Sequence, residues 1–316
     1  MKNLILFCFA AIVSTSHLLA QYKSENLKLD SRAVTSGNKY LFQNLQLYPV
    51  RANKTFLTYH KGLSKYSTLK EALERKKVAI TEQSDGGTVN TLFIENISKD
   101  TIIVLSGEVV KGGKQDRVIA QDFILYPKSG RKDVSVFCVE HGRWSPEDGD
   151  TSFKQYYDIS TNEVRKAATV KKDQQEVWNK VSETTNKNNA KTSTGTLTAL
   201  QRSASFNTDL KKYTSHFQSL LSAEADVIGV VAVSGNKILG CDMFANHELF
   251  MKYLPGLLNS YATEAITSGS KVSVSYDKVT EYLSSIISDE NKQEREIEKK
   301  GTMLKDGSKK IHLSAF

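Results

Sequence analysis

Two short clusters hold most of the side chains that could do chemistry. The first reads Gly107-Glu108-Val-Val-Lys-Gly112-Gly113-Lys114-Gln115-Asp116-Arg117, and the second Cys138-Val-Glu140-His141-Gly142-Arg143-Trp144. Carboxylates beside guanidiniums suit three roles. An Arg fork can grip a carboxylate or phosphate through two parallel hydrogen bonds. A Glu can act as general base while an Arg stabilises developing negative charge. The same pair can also simply tie two strands together. The ligand-binding candidates are Glu108, Lys114, Gln115, Arg117, Glu140, Arg143 and Trp144, the last as a ring that can stack on a ligand or on Arg143.

Gly107-x4-Gly112-Gly113-Lys114 has the look of a phosphate loop without its pattern. That pattern needs Gly six residues before the Lys and Ser or Thr directly after it, where this chain has Glu108 and Gln115. The glycines either present backbone N–H groups to an anion beside Lys114 and Arg117, or supply positive φ in a tight loop. Cys138 has three readings: a buried free thiol, a disulfide with Cys241, or a nucleophile. His141, the nearest base in sequence, is three residues away and so points to the other face of a strand. Metal chemistry finds little support. His247-Glu248-Leu-Phe-Met251 starts like a zinc-protease helix but has Met where the second His is needed. His60, His141, His216 and His312 are scattered, and Asp148-Gly149-Asp150 lacks calcium-loop spacing. No Gly-x-Ser-x-Gly occurs. No metal and no cofactor are predicted.

These residues must be positioned by β-structure. Val89 to Leu105 reads as a hairpin turning at Ser98-Lys99-Asp100, and Arg117 to Glu140 as a second turning at Pro127 to Gly130. The second would bring Arg117 and Glu140 to the same end. Tyr40 to Val50 is strand-like and ends at Pro49, Ser67 caps a short helix with Leu69, Ala72 and Leu73 inward, Val78 to Glu82 is a strand, and Asp85-Gly86-Gly87 a turn. Residues 40–147 thus form an antiparallel β-rich region, sandwich or barrel-like. Residues 148–205 hold a polar helix, Thr161 to Thr184, and a low-complexity Asn/Lys/Thr linker, Asn186 to Gly195. In residues 206–316 the pattern predicts a helix from Thr208 to Ala223, a hairpin from Asp226 to Met243 turning at Ser234-Gly235-Asn236, and a helix capped by Asn246 and bent at Pro255. A helix over Val279 to Ile287 and a hairpin over Glu294 to Phe316 complete it. The fold class is α+β, a β-rich first half and a mixed second half.

Composition limits the rest. The 316 residues, 39% hydrophobic and 25% charged, are those of a soluble globular chain. The net charge of +8 is spread along the sequence without a basic block, so no specific nucleic-acid partner is predicted. Lys2, the apolar run Leu4 to Val13 and a more polar exit to Ala20 read as a secretory signal, cleaved between Ala20 and Gln21. The expected location is extracytoplasmic, periplasmic or secreted, with residues 21–39 a flexible lead-in and no membrane span after cleavage.

Gly107-Glu108, Gly113-Lys114-Gln115-Asp116-Arg117 and Cys138-Val-Glu140-x-Gly142-Arg143-Trp144, in that order, resemble the domain named for its association with ADP-ribosylglycohydrolases and the rhodanese-phosphatase superfamily. Lys237-Ile-Leu-Gly-Cys-Asp-Met-Phe and Ile311-His312-Leu313 are similar as well. The resemblance covers roughly residues 40–316 and implies a domain of unknown function, with no catalytic residues to carry over. Three functional readings stand: a binding or interaction module for a small polar or anionic ligand, a hydrolase using the Glu and Arg residues, and a purely structural domain.

Overall fold

The structure is a computed structural model describing residues 22–34, 37–83, 89–146, 149–287 and 290–316. The secretory segment, the Asp85-Gly86-Gly87 turn and Asp148 lie outside the described residues. The fold is α+β, built on three sheets.

A seven-stranded antiparallel sheet runs in the order β1 (Leu27–Leu29), β3 (Leu45–Ala52), β13 (Val227–Ser234), β14 (Lys237–Phe244), β16 (Lys309–Ala315) and β15 (Gly301–Asp306), with β2 (Leu41–Phe42) paired to β3. Every residue of β13 is buried, as its unbroken apolar run requires of a central strand covered on both faces. A second sheet of six runs β12 (Phe153–Ile159), β8 (Glu108–Gly112), β9 (Arg117–Ile119), β11 (Arg131–Cys138), β6 (Thr91–Asn96), β5 (Val78–Glu82). Its two edges meet at a Thr81–Ser152 bridge, where Glu82 N also donates to Thr151 O at 3.2 Å, so the sheet curls into a barrel. The third sheet is small: β10 (Phe123–Leu125), β7 (Ile102–Val104) and β4 (Ser67–Thr68).

Eight helices are described: α1 (Lys54–Tyr59), α2 (Leu69–Glu74), α3 (Asn162–Lys166), α4 (Gln174–Lys187), α5 (Ala204–Ser222), α6 (His247–Ser268), α7 (Tyr276–Ile287) and α8 (Glu290–Lys300). Helix α6 runs through Pro255, and Asn246 caps it by accepting from Leu249 N at 2.8 Å. It packs against α5, β12 and β13, which joins the barrel to the large sheet.

Several expected elements pair differently. Strands β6 and β7 do not form a hairpin: β6 lies between β5 and β11, while β7 pairs with β10 and, in parallel, with β4. The alternation of β7 explains this. Ile103 enters the core of the large sheet while Ile102 and Val104 enter that of the barrel, so the strand must lie between the two. Strand β9 does pair with β11, but Arg117 faces Cys138 and not Glu140, and β10 leaves for the small sheet. Helix α2 is capped by Thr68, not Ser67. Thr68 Oγ1 accepts from Glu71 N at 3.1 Å and Glu71 Oε2 from Thr68 N at 2.9 Å, a reciprocal capping box.

Strand β3 continues through Pro49. The expected helix Thr161 to Thr184 is broken: a π-turn at Ala167–Lys171 follows α3, Lys172 turns left-handed at φ 53°, and Asp173 caps α4 anew. The segment read as a linker is packed, with Thr194 O accepting from His141 N (3.0 Å) and Gly142 N (2.8 Å). In the lead-in, Tyr22 is buried and β1 pairs with β3. Residues 294–300 belong to α8, so the last hairpin starts at Gly301.

Candidate functional site

The loop from β8 to β9 is pressed against β12. A Cβ on Gly112 (φ 136°) would lie 2.3 Å from Ser152 O, and one on Gly113 (φ 53°) 2.6 Å from the Phe153 ring. Only glycine fits both the space and the torsions. Arg143 fastens this loop. It donates to Gly113 O (2.6 Å), Gly112 O (3.4 Å) and Ser145 O (3.3 Å), and pairs with Glu140 (2.7 Å) and Asp116 (3.4 Å). Glu140 Oε2 also accepts from Asp116 N at 3.1 Å. Asp116 is almost fully buried and accepts the hydroxyls of Thr196 (2.8 Å) and Thr198 (3.1 Å). Burial first, and then the Glu140 charge, push its carboxyl above the usual range.

Above these groups opens a cavity of about 590 Å³. Gly112, Gly113, Asp116, Glu140 and Arg143 line it together with Thr194, Thr196 and Thr198, and the lining also holds a third carboxylate, Asp150, and three further cations, Lys111, Lys154 and Arg202. Lys154 is paired with Asp150, whereas Lys111 and Arg202 have no ion pair among the described residues.

The sequence candidates divide accordingly. Glu140 and Arg143 line the cavity. Gln115 and Arg117 stand behind it: Gln115 Nε2 donates to Glu140 O (2.7 Å), and Gln115 O accepts from the buried Arg117 guanidinium (2.8 Å), which also faces Glu82 at 3.5 Å. Lys114 turns toward Glu82, its backbone N donating to Glu82 Oε1 at 2.7 Å. Trp144 is 56% exposed. Glu108 lies at the other end of β8, fully buried, with Oε2 accepting from Leu105 N at 2.7 Å. Cys138 in β11 and Cys241 in β14 belong to different sheets and are buried free thiols, so the disulfide alternative is not realised. Burial pushes both thiols up, away from the reactive thiolate.

Asp116 lay inside a quoted motif without being singled out, and Thr196, Thr198 and Arg202, which follow the Asn186 to Gly195 stretch, carry no motif that would have pointed to them. Reasoning from sequence also missed a buried charge network. His312 in β16 bridges Asp122 (Nδ1, 2.8 Å) and Asp242 in β14 (Nε2, 3.2 Å). Arg165 of α3 grips Asp242 with two nitrogens (2.7 and 2.9 Å), and the Tyr261 hydroxyl of α6 donates to the same carboxylate. Asp122 also accepts from Ser106 N (2.8 Å) and the Thr302 hydroxyl (2.9 Å). Burial alone would lower the pKa of His312, but its two carboxylates outweigh that and raise it to about 9. His312 and Arg165 thus balance Asp122 and Asp242, two cations against two anions, in a buried network. Asp242 and His312 sit in the two later stretches noted above, which was the available signal.

The signature loop, its Arg143 fastening and these later stretches lie along one continuous match. The chain belongs to the ARPP-1 family. The family, described as the ARG and Rhodanese-Phosphatase-superfamily-associated Protein domain, matches residues 33–316. No curated protein and no solved structure matches the chain. Among the described residues of this ARPP-1 domain, no group of three or more His, Cys, Asp and Glu could hold a metal ion, and no helix is long and apolar enough to cross a membrane.

Proposed function

We propose that this ARPP-1 domain is an exported binding module that takes a polar, anionic ligand into the cavity above Asp116, Glu140 and Arg143. The carrying observation is the convergence of the signature loop on an open polar cavity with two unpaired cations, Lys111 and Arg202, in its lining. Arg143 itself is committed to two loop carbonyls and two carboxylates, so it shapes the site while Lys111 and Arg202 meet the ligand. Thr194, Thr196 and Thr198 supply hydroxyls that adapt to either donor or acceptor groups. Export rests on Lys2, the Leu4 to Val13 run and the Ala20–Gln21 junction, and a mature protein whose N-terminal mass begins at Gln21 supports it.

The experiment is a binding screen of small carboxylates and phosphate esters by calorimetry, with Arg202→Ala as the probe of the site. A ligand that binds the native chain and loses tenfold or more in R202A, with unchanged folding, supports the reading. Loss of the Arg202 cation with no change for any ligand found sinks it. A hydrolytic role is the second reading, favoured by one observation: the Asp116 carboxyl, raised by burial, faces the cavity. It requires turnover that disappears in Asp116→Asn.

A further inference from the structure

At the far end of the β8–β12 pair from that cavity, the strands meet helix α6 over a small second cavity of about 70 Å³. Glu108 of β8 and Asp158 of β12 both line it, held close because Ile159 is the ladder partner of Glu108. Three tyrosines, Tyr156, Tyr157 and Tyr253, form much of the remaining wall. The helix comes close here because it carries glycine: a Cβ on Gly256 would lie 3.0 Å from Ile159 and 3.1 Å from Asp158 Oδ1.

One atom in this cavity is out of place for a folded protein. Glu108 is fully buried, and while its Oε2 accepts from Leu105 N, its Oε1 has no hydrogen bond. Tyr156 approaches the carboxyl without reaching good hydrogen-bond geometry. A buried carboxylate oxygen left unsatisfied costs on the order of 1–3 kcal/mol or more, and such atoms call for a missing partner. Desolvation accordingly pushes Glu108 up to about 8 and Asp158 up to about 7. Asp158 has only neutral donors among the described residues, Ile159 N at 2.8 Å and the Asn259 amide.

We propose that this cavity binds a protonated primary amine, whose ammonium group sits between the Glu108 and Asp158 carboxyls and against the tyrosine rings. Carboxylates neutralise the charge and take its N–H donors, and aromatic faces attract a desolvated cation. Competing occupants fit less well. Two carboxyls without a third acidic or imidazole ligand make a poor divalent-metal cage, and an anion would meet both acids. Two lysines stand at the mouth. Lys252 is already engaged, donating to Tyr66 O at 2.7 Å and Glu71 Oε2 at 3.3 Å, and Lys70 is exposed, its charge the smallest of the influences on the Asp158 carboxyl. A quaternary ammonium carries no N–H for the unsatisfied Glu108 Oε1 and so fits less well than a primary one. The site is separate from the anion cavity, and either can fail without the other.

The test is calorimetric titration of the native chain with methylammonium chloride at constant ionic strength and about pH 9, where both carboxyls are ionised and a primary ammonium is still protonated, set against tetramethylammonium and calcium chlorides. Saturable methylammonium binding is expected, with no tetramethylammonium or calcium binding. Glu108→Gln keeps an oxygen for Leu105 N and is expected to weaken binding tenfold or more. Asp158→Asn, less buried, is expected to weaken it several-fold and serves if E108Q does not fold. Absence of saturable methylammonium binding, equal binding of tetramethylammonium, stronger binding of calcium, or undiminished affinity in folded E108Q or D158N each overturns the proposal.

Discussion

Removing the His312 imidazole should expose what the buried charge network contributes to stability. In His312→Ala, Asp242 keeps its two-pronged Arg165 partner, but Asp122 loses the one ion pair it makes among the described residues and is left with hydrogen bonds from Ser106 N and the Thr302 hydroxyl. Breaking a buried ion pair from one side typically costs about 3–5 kcal/mol. Because Asp122 retains two donors, the lower end applies, about 3 kcal/mol, or roughly 6 °C in Tm for a chain of this size. The pH dependence carries the sharper signature. In the native chain the pKa of His312 is raised from 6.5 to about 9, so its contribution is complete below about pH 6.5 and is lost as pH rises through 9. Asp122 and Asp242 are lowered, chiefly by their cationic partners against burial, so theirs is present above about pH 4 and lost as pH falls. The raised carboxyls of Glu108, Asp158 and Asp116 make both chains lose stability as pH rises from about 4 to 7, and in H312A the uncompensated Asp122 carboxyl also shifts upward, so the variant should lose more than the native chain over that range. Urea unfolding across that range measures both, and His312→Ala with Asp122→Asn should recover at least about 1 kcal/mol. A loss under about 1 kcal/mol at pH 7, or a variant profile parallel to the native one, refutes the reasoning.

Two further outcomes are expected. Gly112→Ala puts a Cβ 2.3 Å from Ser152 O at φ 136° and should cost at least about 2 kcal/mol in denaturant unfolding, whereas Gly149→Ala, with open space around it, should cost about 1 kcal/mol or less. Cys138 and Cys241 should resist maleimide in the native state and both label in denaturant without reductant; a single labelled thiol, or none, contradicts the free-thiol assignment.

How much of this was legible in advance depended on whether a signal was local. The capped helix α6, the β13–β14 hairpin with its Gly235-Asn236 turn, and helix α7 follow from turn chemistry and periodicity within a few residues of themselves. Pairing was harder. Adjacent strands were assumed to pair, yet β7 alternates between two cores, a demand set by residues far away in sequence such as Leu69 and Tyr253. The clustering of Glu140 and Arg143 around the glycine loop follows from the motifs, while Arg117 exchanged its expected partner because β11 registers Cys138 opposite it. The Asn186 to Gly195 stretch looked like spacer composition, but it is packed against His141 and Gly142, and the Thr196 and Thr198 hydroxyls just after it satisfy a carboxylate in another element, roles that composition does not encode.

The β8–β12 ladder shows why both candidate cavities escaped periodic reading. Its register slips twice, between Phe153 and Gln155 and again between Tyr156 and Ile159. The residues displaced are Lys154 at the first slip and Tyr157 and Asp158 at the second, and these are the side chains that β12 turns into the anion cavity and the acidic cavity respectively. A β-bulge breaks the inward–outward alternation and re-aims a side chain that would otherwise stay in line. Lys111 and Gly112 at one end of β8, and Glu108 at its other end, then meet those re-aimed residues across the ladder. At about 3.3 Å per residue the four steps from Glu108 to Gly112 keep the two ends of β8 roughly 13 Å apart on one hydrogen-bonded frame. That separation is longer than the Debye length of about 8 Å at physiological ionic strength, so charge bound in one cavity is largely screened from the other wherever solvent intervenes. Coupling between them, if titration of one ligand shifts the affinity for the other, must therefore pass through the ladder register itself, and straightening the second slip by deleting Tyr157 should abolish amine binding while leaving the anion cavity occupied.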